Sequence, residues 1–388
     1  MNTGKYVFAQ VASILNPNDF KKCVDRYKGN YKVKDFSCWH QLLCMMFGQL
    51  ANRESLSDLV LCLQSQRGKW YHLGIGSAIS KSNLAYSNEK RNWQIFADFA
   101  YLLIAEARAC LIPNITLEAF EDYGIYAIDT TTVDLCIEVF WWAKFRKHKA
   151  AIRLHTLLDI KSEIPCYINI TDGKTHELNF LDLLEFEPKG IYIMDRAFVD
   201  FSRLYTIHKQ FAFFITRAKT NMKFKRIYSA KTKKTDGVLA DQTIRLVNFY
   251  VTKDYPEKFR RIKFYDEETG KKFIFLTNNF DLTAIQVALL YKHRWKIELF
   301  FKWIKQHLKI KSFWGHSENA VKIQVYCAII TFVTVALVKH KTKTSLTQYQ
   351  ILQILSITLL NKTPLNQLFQ DALLQYVKEQ ECNQLKMF

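Results

Sequence analysis

Glycine and proline are scarce, 12 and 6 in 388 residues, which argues against long disordered linkers. None of the nine cysteines (Cys23, Cys38, Cys44, Cys62, Cys110, Cys136, Cys166, Cys327 and Cys382) forms a CxxC pair, so no zinc ribbon is signalled. Their odd number and apolar surroundings predict reduced core thiols in a cytoplasmic protein. No long apolar run follows Lys5, and none resembles a signal peptide. The longest apolar stretch, VYCAIITFVTVALV from Val325 to Val338, falls short of the roughly 20 residues of a membrane span. It predicts a buried helix and no membrane partner. Acidic residues are also in deficit: 36 Asp and Glu against 55 Lys and Arg leave a net charge of +19. Such a balance favours a polyanionic partner. Because the basic residues are spread along the chain, nucleic acid is favoured over an anionic membrane surface. What is plentiful is hydrophobic side chains (49%) and aromatics (14%), enough for a sizeable core and two or three domains.

No internal repeat or low-complexity tract divides the chain, but its patterning changes along it. Residues 1–110 have helical apolar spacing, as in SCWHQLLCMMFGQL and SLSDLVLCLQSQ. In SKSNLAYSNEKRNW, the residues Lys81, Ser82, Asn83, Asn88, Lys90 and Arg91 are expected to be exposed, on a helix that touches DNA or edges a plain bundle. Residues 111–220 then read as three strands, IYAIDTTTVDL, AIRLHTLLDI and IPCYINI. A helical stretch, ELNFLDLLEF, follows, then the strand GIYIMD, the helix FVDFSRLYTIHKQ and the strand FAFFITRA. That order is the order of an RNase H-like α/β core. Residues 221–280 alternate as strands, with DEETGKK as a hairpin turn, and predict a β-rich insertion. Helices return over 281–340, in TAIQVALLYKHRWKIELFFKWIKQHLKI and the apolar helix, and over 341–388.

Three acids draw attention. Asp129 ends IYAID, and Asp195 ends IYIMD. Two strands that each end in Asp can set two carboxylates side by side, a conflict that a divalent cation resolves. Taken singly, either Asp could instead be a turn or helix-cap residue. Glu298 lies in YKHRWKIELFFKWIK. On one continuous helix Tyr291, Arg294, Glu298, Lys302, Lys305 and Lys309 fall within about 40° of a line. Ile297, Phe301, Ile304 and Leu308 flank it on one side, and Trp295, Leu299 and Trp303 on the other. A charged stripe wedged between apolar surfaces needs partners. A carboxylate on a metal and cations on phosphates would satisfy it; so, in part, would an internal network Arg294–Glu298–Lys302. Paired carboxylates also serve glycosidases, but a third acid beside Arg and Lys, with the net charge, fits them poorly.

The spacing Tyr291, Arg294, Glu298, Lys305 resembles the signature of DDE transposases of bacterial insertion sequences, in the insertion sequence 4 family. Asp129-Thr130, Asp195-Arg196, LHTLLDI, TDGKTHELNF, MDRAFVDFSRLY and FFITRAKTN are similar to it too, over residues 120–340. The resemblance implies an RNase H-like core interrupted by a β-rich insertion, with helical flanking regions. It implies catalytic, metal-holding Asp129, Asp195 and Glu298 with two Mg²⁺ ions (or Mn²⁺), and DNA contacts from Tyr291, Arg294, Lys305, Arg196 and Lys302. It implies cut-and-paste transposition of double-stranded DNA, with N-terminal helices on terminal inverted repeats and a homodimer in the synaptic complex. The runner-up is a non-catalytic DNA-binding protein derived from a transposase. His155 and His176 are expected to be core or supporting residues. Some relatives stack a flipped base on a Trp of the insertion. Between Asp195 and Glu298 the only Trp is Trp295, on the helix, so a Tyr or Phe takes that role or no base is flipped.

Overall fold

A computed structural model describes residues 4–76, 79–111, 120–146, 149–220, 222–232, 236–247, 249–308, 310 and 313–374. Lys309, Cys382, the junction at 112–119 and the last part of the C-terminal region, 375–388, lie outside them. Contacts group the chain into a helical unit (residues 1–111, 134–143 and 302–388) and an α/β unit (112–133 and 144–301).

The α/β unit is built on one sheet. Its strands are β1 (Ile125–Leu135), β2 (Lys144–Arg146), β3 (Lys149–Asp159), β4 (Pro165–Asp172), β5 (Ile191–Met194), β6 (Phe213–Arg217), β7 (Phe224–Ala230), β8 (Val238–Leu246), β9 (Phe259–Asp266) and β10 (Lys271–Thr277). β5 and the first four residues of β1 are buried at every position, as parallel strands covered on both faces must be. β1 pairs parallel with β5, and β5 with β6; β3 lies on the other side of β1 and pairs antiparallel with β4. The order β4-β3-β1-β5-β6 is that of an RNase H-like core. β10 pairs antiparallel with β6 and is followed outward by β9, β8 and β7, so the β-rich segment continues the core sheet.

Three local expectations are corrected. ELNFLDLLEF holds a 3₁₀ turn, Glu177–Leu183, whose Phe180 stacks on His155 and Tyr167. The strand pattern through FYVTKDY gives way to a helix, Phe249–Asp254. That helix returns Tyr255 to the core, where the tyrosine is fully buried, packs on Phe214 and Phe259, and shares a 2.8 Å hydrogen bond with His208 Nδ1. The single helix expected over 283–310 is two, Ala284–Lys292 and Trp295–His307. Between them Arg294, Lys296 and Ile297 donate to the carbonyls three residues back, the tighter bonding that interrupts an α-helix.

In the helical unit, Glu318–Thr342 is a 25-residue helix buried almost throughout from Ala320 to Val338. It is long and apolar enough to cross a membrane, yet 94% of its apolar window is buried inside the protein, so it is a core helix. Thr331 and Thr334 satisfy their buried hydroxyls on the carbonyls of Cys327 and Ile330. Helices Gln94–Cys110 and Cys38–Leu50 pack against it. On helix Lys81–Lys90, Lys81, Ser82, Asn83 and Lys90 are exposed as expected, but Asn88 is buried and Arg91 partly so. Gln41 Nε2 donates to Asn88 Oδ1 (2.7 Å), and Arg91 donates to Gln41 Oε1 (2.9 Å) and to the Phe36 carbonyl. These two polar groups tie helices together. The eight described cysteines are all free, but Cys110 and Cys136 are exposed rather than core.

Asn278 closes the join between β10 and β6: its Oδ1 accepts from the Phe214 N–H (2.9 Å) and its Nδ2 donates to the Ala212 carbonyl (2.8 Å), all in the interior. Asn278→Ala leaves both backbone groups unpaired and should cost about 2–4 kcal/mol in urea unfolding. A loss below about 0.5 kcal/mol would mean the join does not depend on this side chain.

Candidate active site

The site begins with strand register. Ile128 is level with Met194, and Ile193 with Ile215. Continued one step past the first pair, this register brings Asp129 level with Asp195; continued two steps past the second, it brings Asp195 level with Arg217. Neighbouring strands lie about 5 Å apart and level residues share a face, so two carboxylates and a guanidinium form a row at the carboxyl edge of three parallel strands. Asp195 directly follows β5 and precedes a 3₁₀ turn, Arg196–Phe198, without capping it through its side chain. The cap alternative thus fails for Asp195. Asp129 does not end its strand, which runs on to Leu135; it stands where pairing with β5 ends.

The paired helices bring the remaining groups. The ring of Tyr291 packs on Phe275 (centroids 4.9 Å apart), and Phe275 is the pairing partner of Arg217. Arg294 lies against the Tyr291 ring and is ion-paired to Glu298 one turn on; its Nη1 is 3.6 Å from Asp129 Oδ2. The internal pair Arg294–Glu298 is thus real, but Arg294 also joins Glu298 to Asp129. Asp129, Asp195, Tyr291, Arg294 and Glu298 lie near enough to act on one another electrostatically. Arg196 is exposed beside Asp195. Lys302 and Lys305 occupy the next turns of the helix, Lys302 exposed and Lys305 half-buried, in the segment that groups with the helical unit.

Charge at this cluster is unbalanced. Burial pushes the Asp129 carboxyl up to about 6; the Thr130 N–H and Arg294 oppose the rise, while Glu298 and Asp195 add to it by like-charge repulsion. Tyr291 is 8% exposed, and its buried hydroxyl has no hydrogen-bond partner. Its pKa is raised chiefly by burial. Among the described residues no three acids or imidazoles stand at mutual metal-ligand spacing; a guanidinium holds Asp129 and Glu298. Even so, an oxygen-only donor set, a carboxyl driven towards protonation and an orphaned phenol suit a hard divalent cation and an oxyanion.

Two contributors were not read as site residues. His155, on β3, is buried, bonds Thr130 Oγ1 through Nδ1 (2.8 Å) and Thr171 Oγ1 through Nε2 (2.9 Å), and so braces the residue after Asp129. Burial, then Arg153, lowers its pKa to about 4, so the imidazole stays neutral. Its strand position beside β1, in LHT, was the available signal. His176 caps the 3₁₀ turn through Nδ1 and takes no part. Trp295, set aside as a helix residue, is 57% exposed and lines a cavity of about 420 Å³ with Tyr291, Arg294, Arg217, Phe264 and Phe273.

Comparison with known proteins bears on this geometry. The family described as "Transposase DDE domain" matches residues 121–333, and one described as "Domain of unknown function (DUF4372)" matches residues 3–76. A Sinorhizobium fredii protein named as transposase y4zB is 34% identical over 53% of this chain and 58% of its own length. A Geobacillus stearothermophilus protein named as a transposase for insertion sequence element IS5377 is 27% identical over 56% of this chain and 57% of its own. The chain thus spans under two thirds of both relatives. A Synechocystis protein named as a transposase for insertion sequence element IS4SA is 24% identical over 70% of this chain and 76% of its own. The solved piggyBac transposase synaptic complex with hairpin DNA aligns with a TM-score of 0.42 and 10% identity, over 86% of this chain and 72% of that one.

The Asp129 carboxyl has a testable cost. Folding raises its pKa from the ordinary value, 3.8, to about 6. Its ionised form therefore opposes folding fully above that value, and the penalty fades as pH falls towards 4. In EDTA at pH about 8, Asp129→Asn should stabilise the protein by about 1–3 kcal/mol, less whatever its contact with Arg294 contributes, and the gain should fade by pH about 4. Urea unfolding at both pH values measures this; destabilisation at the higher pH would refute the cost of burying this charge.

Proposed function

The chain belongs to the transposase DDE domain family, and from that membership we propose that it cuts and rejoins the DNA ends of an insertion sequence. The observation that carries the reading is the convergence of Asp129, within β1 where its pairing with β5 ends, Asp195, just past the end of β5, and Glu298, on a helix, near Arg294 and the unpartnered Tyr291 hydroxyl. The proposal extends to the insertion sequence 4 type, whose signature Tyr291, Arg294, Glu298 and Lys305 reproduce in spacing.

Asp129, Asp195 and Glu298 would hold the metal. Two Mg²⁺ ions, or Mn²⁺, would supply Lewis acidity at a phosphodiester and make a hydroxyl nucleophilic at neutral pH. Arg294, which pairs with Asp129 and Glu298 when no cation is bound, would with Tyr291 donate to phosphate oxygens. Arg196, Lys302 and Lys305 hold the DNA backbone. In the first reaction water's oxygen attacks phosphorus and the element's 3′-oxygen leaves as a hydroxyl. In the second that hydroxyl attacks a target phosphodiester, so one P–O bond forms as another breaks and no energy source is required. His155 keeps Thr130, and with it Asp129, in place without carrying charge. Trp295 offers a stacking face for an unpaired base, which answers the missing Trp of the insertion. Terminal inverted repeats bound by the N-terminal helices, a homodimer at synapsis and a cytoplasmic site of action on the bacterial nucleoid complete the proposal.

The test uses a labelled duplex carrying the element's own terminal repeat, with Mg²⁺ or EDTA. Metal-dependent nicking at the repeat boundary, abolished in Glu298→Gln while DNA binding persists, is expected. Tight binding without cutting under any divalent metal would leave a binding protein derived from a transposase.

A further inference from the structure

Beside the carboxylates lies a cavity of about 200 Å³ that no acidic side chain lines. It opens where β6 ends at Arg217 while β9 and β10 run on, with the Ala218 N–H bonded to the Ile274 carbonyl. Five cations border it: Arg196, Arg217, Lys219, Arg261 and Lys272. Nearby, Arg260 of β9 is neutralised by Asp241, and Lys292, at the end of the helix Ala284–Lys292, by Asp266. Among the described residues none of these five forms a salt bridge. Two of them are pre-set: Arg217 lies over the Phe273 ring (5.4 Å) and Arg261 over the Phe224 ring (4.9 Å), which fixes each guanidinium plane with little rotamer freedom left to lose. Arg261 is also anchored by donation to Gln242 Oε1, and Lys219 by donation to the Val199 carbonyl. Burial lowers the Arg261 pKa, so its charge is held at a cost that nothing in the cavity offsets.

We propose that this cavity is a phosphodiester-binding subsite that grips the DNA strand next to the scissile bond, with Arg217, Lys219, Arg261 and Lys272 acting alongside Arg196. Held oppositely charged groups on stacked aromatics are what an anion of tetrahedral oxygens needs. The register supplies the distance: Arg217 is two strand spacings from Asp129, about 10 Å, so a phosphate in the cavity sits beside the reacting one on the same backbone rather than in its place. This subsite rests on the reading of the chain as a DNA-cutting enzyme, and DNA is favoured over free phosphate because the cations are spread along an open wall.

The test measures binding of a labelled duplex against salt concentration for the full chain, with metal omitted. Arg261→Gln combined with Lys272→Gln should lower the log–log salt slope by about 1–2 and weaken binding at least tenfold at about 0.1 M salt. Lys174→Gln with Lys189→Gln, which removes equal charge elsewhere, should change the slope less. Arg261→Lys with Lys272 intact should keep the slope and lose part of the affinity. Wild-type binding with a steep slope that the cavity variant leaves unchanged, in a protein of unaltered melting temperature, overturns the subsite alone. Wild type that does not bind DNA overturns the subsite together with the function. Thermal stabilisation by inorganic phosphate that the cavity variant loses, with DNA binding unchanged, makes it a free-anion site and overturns the proposal.

Discussion

Parallel pairing of β1 with β5, and of β5 with β6, puts Asp129 and Asp195 level on neighbouring strands, and the rest of the site is a response to that. Strand spacing sets the two carboxylates on neighbouring strands, where each raises the cost of the other's charge. Relaxation is barred, because both strands are buried on each face where they pair. Burial raises the Asp129 pKa most; Arg294 offsets part of that rise, and repulsion from Glu298 and Asp195 adds to it. A rigid sheet edge thus stores an electrostatic demand that a metal ion can meet, which is preorganisation in the sense that the cost is met on folding and not during the reaction.

Continuity of the sheet extends the same logic outward. Had β7 to β10 folded as a separate body, their cations would have had no fixed distance from the carboxylates. Because β10 pairs with β6, Arg217 belongs at once to the row with Asp195 and to the wall with Phe273. The two carboxylates therefore stand on β1 and at the end of β5, and the cations begin at Arg217 on β6 and continue outward along the sheet.

Much of this was legible in the sequence, for reasons that differ by element. IYAID and IYIMD announce themselves because a fully buried parallel stretch is apolar and β-branched and an Asp closing it is out of place; that β1 runs on past Asp129 to Leu135 left no such mark. Glu298 was legible through spacing alone. The break between Lys292 and Trp295 was not, since neither proline nor glycine marks it and the change from four- to three-residue bonding leaves no compositional trace. Asn88 and Arg91 misled because a polar side chain reads as exposed until Gln41, from a distant helix, is known to face it. The helix Phe249–Asp254 misled because the strand-like alternation there is overruled by the burial of Tyr255. The cationic cavity was invisible for a different reason: its five residues come from separate stretches between 196 and 272, and only pairing register brings them to one wall.

Among the described residues one end of the sheet is β7, whose side chains from Lys225 to Ser229 are all exposed and whose outer backbone groups have no neighbouring strand. An open edge of that kind invites another chain to add itself and start a fibril. Lys225 and Arg226 counter the invitation, since a second copy docking there would bring like charges together. The basic character of this protein thus also guards it against its own copies. Concentrated salt, which weakens that repulsion, is the condition under which its sheets would begin to stack edge to edge.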